Sequence, residues 1–223
     1  MKLSMNRTTS VLCCIMVHSL VYAAGSNDLA PAESTFSLGV RETVQWSNQS
    51  PAEDLSGFGI MGRFQLGPNR ELGIGIDSLS DDFDDPAGAL GLQVAEGSGH
   101  PKAKIMADLI SVWGQQNYDI GTERFEPFVL LGLALASIDM SEHRGGLSDG
   151  TQYDLRTNAG TEHIFMAGAG IRSKIYRGIG LEIAVRGEYH LANWTIEDRV
   201  SGAYIAADDY PALAGYVALE SSF

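Results

Sequence analysis

The last thirteen residues, Pro211-Ala-Leu-Ala-Gly-Tyr-Val-Ala-Leu-Glu-Ser-Ser-Phe223, constrain the fold more than any other stretch. Read with period 2, Leu213, Gly215, Val217, Leu219, Ser221 and Phe223 share one face; Ala212, Ala214, Tyr216, Ala218, Glu220 and Ser222 share the other. One apolar side, a carboxylate opposite and a terminal aromatic fit a soluble sheet poorly. They fit the closing strand of a barrel whose outer face meets hydrocarbon and whose inner face meets a lumen.

The beginning of the chain points to export. Lys2 and Arg7 form a positive segment, and Val11 to Val21 is apolar but too short to span a bilayer. Val21-Tyr22-Ala23 then offers small residues at a cleavage site. Residues 1–23 are expected to be a signal peptide, 24–35 a periplasmic linker and 36–223 the folded domain. Both cysteines, Cys13 and Cys14, would leave with the leader, so the mature chain would hold no disulfide. A net charge of −13 carries no electrostatic footprint for nucleic acid.

Seven further segments alternate. Phe36, Leu38, Val40, Val44 and Trp46 oppose Ser37, Gly39, Arg41, Thr43 and Gln45. Gly57 to Gly67 sets Phe58, Ile60, Phe64 and Leu66 against Gly59, Met61, Arg63 and Gln65. Glu71 to Ser78 sets Leu72, Ile74 and Ile76 against Glu71, Gly73, Gly75 and Asp77. In Ala103 to Trp113, Ile105, Ala107, Leu109 and Trp113 are read as lipid-facing, and Lys104, Met106 and Asp108 as lumenal. Phe125 to Ile138 is nearly all apolar, with Gly132, Ala134 and Ala136 inward. His163 to Ile175 turns Gly168, Gly170, Arg172 and Lys174 inward. Leu181 to Leu191 turns Glu182, Arg186, Glu188 and His190 inward.

The expected fold is therefore all-β, an eight-stranded antiparallel transmembrane up-and-down barrel. Its joins agree. Pro68–Arg70, Gly114–Arg124 and Tyr176–Gly180 are short. Ser47–Ser56, Leu79–Lys102, Asp139–Glu162 and Ala192–Tyr210 are mostly long and polar, as on the external side of such barrels. Phe36, Trp113, Phe125 and Phe223 would form a periplasmic aromatic girdle, and Trp46, Phe58 and Tyr189 an outer one.

Phe125-Glu126-Pro127-Phe128 before a Gly/Ala-rich strand, Ala167-Gly168-Ala169-Gly170-Ile171, Val185-Arg186-Gly187-Glu188-Tyr189 and the terminal Phe together resemble the outer-membrane β-barrel domain superfamily. That group includes small barrels such as the transmembrane domain of outer membrane protein A. The resemblance implies a bacterial outer-membrane location, contact with outer-membrane lipids and lipopolysaccharide, and insertion by the barrel-assembly machinery through a C-terminal signature at Val217, Leu219 and Phe223. It implies no cofactor. Nothing after the barrel suggests a peptidoglycan-binding domain.

The inward charges Arg41, Arg63, Glu71, Asp77, Asp108, Arg172, Lys174, Glu182, Arg186, Glu188 and Glu220, with His190, are the largest constellation. A lumen this narrow favours a plug of ion pairs over an aqueous path, because unpaired buried charge is costly. Tyr189-His190-Leu191-Ala192-Asn193 is similar to the His-x-Ser-Asn motif of lipid A deacylase barrels. Ala192 stands at the nucleophile position and has no oxygen to attack an ester. Glu42 falls out of phase; a β-bulge at Arg41-Glu42 turning it inward is the plainer reading, and a lipid-facing functional carboxylate the sharper one. Ser80 to Pro86 holds four carboxylates without the Gly and distal Glu of a calcium loop, so it reads as a solvated acidic loop. The other external loops are also acidic and would repel lipopolysaccharide phosphates unless divalent cations bridge them.

The expected role is non-enzymatic: envelope structure, or binding of a ligand through the external loops. A narrow channel for small or amphipathic solutes is the first alternative, and a lipid A-modifying enzyme the second.

Overall fold

The structure is a computed structural model that describes residues 36–47, 54–95, 102–122, 124–141, 143–158, 160–176 and 178–223. The expected signal peptide and linker lie outside the described residues. Eight long strands, numbered in chain order, are β1 (Phe36–Trp46), β2 (Asp54–Gly67), β3 (Arg70–Phe83), β4 (Ala103–Asn117), β5 (Phe125–Met140), β8 (Thr161–Tyr176), β9 (Ile179–Leu191) and β12 (Tyr210–Ser222). Four short ones are β6 (His143–Gly146), β7 (Gln152–Asn158), β10 (Thr195–Asp198) and β11 (Tyr204–Ala206), and one turn of helix, α1, covers Pro86–Ala89.

The long strands close in the order β1-β12-β9-β8-β5-β4-β3-β2, each antiparallel to its neighbours. Closure removes the sheet edges that a bilayer could not satisfy. The seam runs in unbroken register from Ser37↔Ser222 to Trp46↔Leu213. The Phe223 amide continues it by donating to the Phe36 carbonyl at 2.9 Å. Phe36 also gathers the rings of Phe64 and Phe223, at 5.0 and 6.5 Å, into an aromatic cluster at the end that carries the short turns, the inner end.

Outside, an apolar belt surrounds the barrel; Leu131 and Ile110 are 71 % and 65 % exposed. Such a surface is stable only against hydrocarbon. The expected inward and outward faces hold on seven of the eight strands. β4 is inverted: Ala103, Ile105, Ala107, Leu109 and Trp113 are buried inside, while Lys104, Met106 and Asp108 face out. Trp113 thus belongs to the lumen and not to a girdle. In register it lies between Gly73 and Gly132, where any side chain would collide with it. Nor is there a bulge at Glu42. Register is continuous through Arg41 and Glu42 against both neighbouring strands, and Glu42 is exposed on the outer wall. The irregularities fall instead at Gln65/Gly67 and Lys174/Tyr176, beside the inner turns.

Two connections expected to be polar loops are folded. Asp139–Glu162 contains the hairpin β6–β7, and Ala192–Tyr210 contains β10–β11. They join as a four-stranded sheet in the order β11-β10-β7-β6. Its short strands also alternate. Tyr153, Leu155 and Ile196, with Trp194 just before β10, are buried against Leu79, Phe83, Ile105, Ile138 and Met140 of the barrel. The sheet is therefore a lid over the outer mouth. This explains the inversion of β4: beneath the lid the inward face is a protein core and is apolar, not polar.

Candidate functional site

The interior below the lid is organised as three charged clusters stacked along the barrel axis. Nearest the inner end, Arg63 of β2 donates to Glu220 at 2.7 Å and lies 2.6 Å from Glu182. Arg172 of β8 reaches Glu71 at 2.7 Å, Glu220 at 2.7 Å and Glu182 at 3.3 Å, with Glu126 at 3.4 Å on its rim. The Tyr216 hydroxyl donates to Glu182 at 2.6 Å, and the Asn117 amide to Glu71 at 3.1 Å. Two guanidiniums thereby tie together carboxylates from β3, β5, β9 and β12. Their five-donor forks suit this sharing, as single-point ammonium groups would not.

In the middle cluster Arg41 engages Asp77 through both Nε and Nη2, the first at 2.6 Å, and Ser111 at 3.2 Å. Its guanidinium sits 5.2 Å from the Trp113 ring centre and 5.5 Å from that of Tyr216. Both Arg41 and Asp77 are almost wholly buried. A desolvated cation sandwiched by two rings and a bidentate carboxylate holds one rotamer.

The outermost cluster holds Arg186 against Glu188, and His190 with Nε2 3.2 Å from Glu188 and Nδ1 3.1 Å from Glu162. The Tyr210 ring stacks on His190 at 4.4 Å. Each imidazole nitrogen thus faces a carboxylate inside the barrel. Above this cluster the apolar core under the lid begins.

Arg41, Arg63, Glu71, Asp77, Arg172, Glu182, Arg186, Glu188, His190 and Glu220 all lie in these clusters. Two residues do not join them. Asp108 faces outward with the inverted β4, and Lys174 is exposed at the inner rim of β8. Glu162 belongs to the outermost cluster although it sits in what reads as a loop. Its period-two phase with Ile164, Met166 and Arg172 marks it as inward. Tyr216 and Ser111, one acting through its hydroxyl and ring and the other through its hydroxyl, carry no charge to announce them.

The lid has its own polar centre. Asp198 is buried and accepts from the amides of Asp154 (2.8 Å), Val200 (3.2 Å) and Ser201 (3.0 Å) and from the Ser201 hydroxyl (2.5 Å). Burial alone would raise its pKa, but these donors hold it below the usual carboxylate range. Gly202, at φ 74°, supplies the left-handed step that closes this turn. His143 packs beneath the lid with Nε2 3.2 Å from the Tyr153 hydroxyl, and burial lowers its pKa. In the acidic segment, Asp85 caps α1 by accepting from the Gly88 amide at 3.0 Å, and Asp84 pairs with Lys102 at 2.8 Å.

No family model matches the chain, and no curated protein sequence does. Solved structures do. Neisserial surface protein A aligns over 85 % of this chain and 98 % of its own, at 10 % identity and a TM-score of 0.53. A major outer membrane protein from Thermus thermophilus aligns over 86 % and 100 %, at 9 % identity and a TM-score of 0.55. At such identities the likeness concerns architecture alone. By that architecture the chain has the closed, eight-stranded, antiparallel fold of outer-membrane barrels.

Proposed function

We propose that this protein is an integral outer-membrane barrel with no enzymatic role, a closed frame that presents a folded lid at the bacterial surface. One observation carries this reading: the lumen is filled by interlocked ion pairs and then roofed by a sheet built from two external connections. A filled interior favours a scaffold over a conduit. The lid is where a ligand would bind, since its β10–β11 hairpin leaves Val200 and Tyr204 exposed, at 61 % and 71 %, beside an edge strand. Export by the leader, insertion through Val217, Leu219 and Phe223, and contact with lipopolysaccharide complete the proposal.

Planar-bilayer recording on refolded protein tests it, together with lipid A mass spectra from cells lacking or overproducing the chain. A silent bilayer and unchanged lipid A are expected. Unitary current steps would establish a narrow channel instead, and a change of acyl chain or head-group would establish an enzyme. In a deletion strain, a chain with the β10–β11 hairpin replaced by a short turn separates the two remaining roles. Rescue of detergent resistance by this chain assigns the role to the frame, and failure assigns it to the lid.

A further inference from the structure

The outer wall carries a second feature that the lumen does not explain. Hydrogen-bond registers align outward side chains in rows that climb the wall diagonally, because barrel strands are tilted. One row reads Glu42, Phe58, Ser78, Asp108, Ser137, Thr161 across β1, β2, β3, β4, β5 and β8. The row beneath it reads Val40, Ile60, Ile76, Ile110, Leu135, His163. Between them runs a groove of about 670 Å³, and a second apolar groove of about 730 Å³ lies just below it. The wall therefore presents a channel with an apolar floor and a polar upper edge, rising from β1 toward the outer end of β8.

Asp108 is the centre of that edge. Its outward neighbours on β4 are Ile110 and Met106, so it lies within the belt and not at the mouth. Its side chain makes no hydrogen bond or ion pair with a described residue, nor do the hydroxyls of Ser78 and Ser137 on either side. A carboxylate on this face destabilises the inserted barrel unless something outside the molecule compensates it. The nearest outward cation on β4, Lys104, is four residues away, roughly 13 Å along the strand. Among the described residues no Lys or Arg faces outward between Lys104 and the inner rim of the wall, and the outward His163 lies in the row below, so a second copy would have to set Lys104 or His163 against Asp108. A phosphate or sulfate placed there would be repelled.

We propose that this groove binds an amine-bearing lipid of the surrounding leaflet. Its chain lies along Ile60, Ile76, Ile110 and Leu135, and its ammonium donates to Asp108 with Ser78 and Ser137 as flanking polar partners. Charge complementarity selects the head and the apolar floor selects the chain. The site is independent of the lid and of the lumen.

The test uses the full-length mature chain refolded in dodecyl maltoside, with native mass spectrometry after addition of dodecylammonium, dodecanol or dodecyl sulfate. One retained dodecylammonium per barrel is expected, with neither the alcohol nor the sulfate retained to a comparable degree. Asp108→Asn should weaken retention at least tenfold, and Ile76→Trp, which fills the groove from the lipid side, should do so with the carboxylate intact. Heat-modifiable mobility on gels verifies that each variant is folded. Equal retention by Asp108→Asn overturns the proposal, as does equal retention of all three amphipaths, which marks an ordinary lipid coat. A dimer that disappears in Asp108→Asn also overturns it, because the occupant would then be a second copy.

Discussion

The two halves of the barrel interior solve the same problem in opposite ways. Toward the inner end the space is filled by arginines shared among carboxylates, Arg63 and Arg172 holding Glu71, Glu182 and Glu220. Toward the outer end it is filled by Leu79, Phe83, Ile105, Ile138 and Met140 packed against Tyr153, Leu155 and Ile196 of the lid. An ionic core tolerates an end open to water, because its members keep their partners when water enters. An apolar core needs a roof. The lid and the inverted polarity of β4 are therefore one device: the sheet supplies the cover that lets β4 turn apolar side chains inward.

The sharpest way to break this comparison is to remove a charge from the inner half. Arg63→Met roughly keeps the volume but leaves Glu182 and Glu220 short of a partner in a buried setting. A loss of about 3–5 kcal/mol is expected from breaking such a cluster on one side. Denaturant unfolding in micelles should show it as a shift of the whole cooperative transition, since these residues tie together strands from around the barrel. A loss below about 1 kcal/mol, the range of solvent-screened pairs, would mean that water already reaches the network, and the inner half would then be a wet vestibule.

The matching change in the outer half is Ile196→Ala, under the lid. Truncating a fully buried isoleucine costs about 2–5 kcal/mol, but here the loss should stay local. Hydrogen exchange is expected to quicken in β6, β7, β10 and β11 while β1, β9 and β12 keep their protection. If the barrel strands lost protection as well, lid and barrel would be a single folding unit and the contrast between the halves would fall.

What could be read in advance follows the same division. Where the lumen is ionic, as on β1, β2, β3, β8, β9 and β12, period-two alternation separates the faces and collects ten of the side chains that the structure brings together in the clusters. On β4 the rule reversed the faces, because it assumes a polar lumen, and Ile105, Ala107 and Leu109 answer to a lid that lies elsewhere in the chain. The lid itself was hidden by length: β10 and β11 are four and three residues long, too short for alternation to stand out among Asp, Gly and Ser. The Glu42 bulge failed for another reason. The expectation treated an outward carboxylate as a defect to be corrected, whereas the backbone keeps its register and leaves both Glu42 and Asp108 on the wall. Seven outward faces were legible; the row that these two carboxylates define was not, since it exists only across strands.

Acid provides the mildest probe of the difference when its effect is followed in the lid. Two groups there titrate with depressed values for different reasons. Burial disfavours the charged form of His143, so its folded pKa lies below its unfolded one. Its contribution is intact above the unfolded value, near 6.5, and fades as pH falls below it because the unfolded chain binds the proton more readily. Asp198 is held down by the Ser201 hydroxyl and three amides against the opposing effect of burial. Its contribution is intact above the ordinary aspartate value, near 3.9, and is lost as pH falls through its lowered folded value. The lid should therefore loosen in two stages, the first beginning below about pH 6.5 and the second below about pH 4. Trp194, buried under the lid, reports both by a red-shifted emission in a chain carrying Trp46→Phe and Trp113→Phe. His143→Gln should remove the upper stage and leave the lower; Asp198→Asn should remove the lower and leave the upper. A single stage insensitive to both substitutions would place the acid-sensitive contact outside the lid, and the two halves of the interior would then respond to pH together.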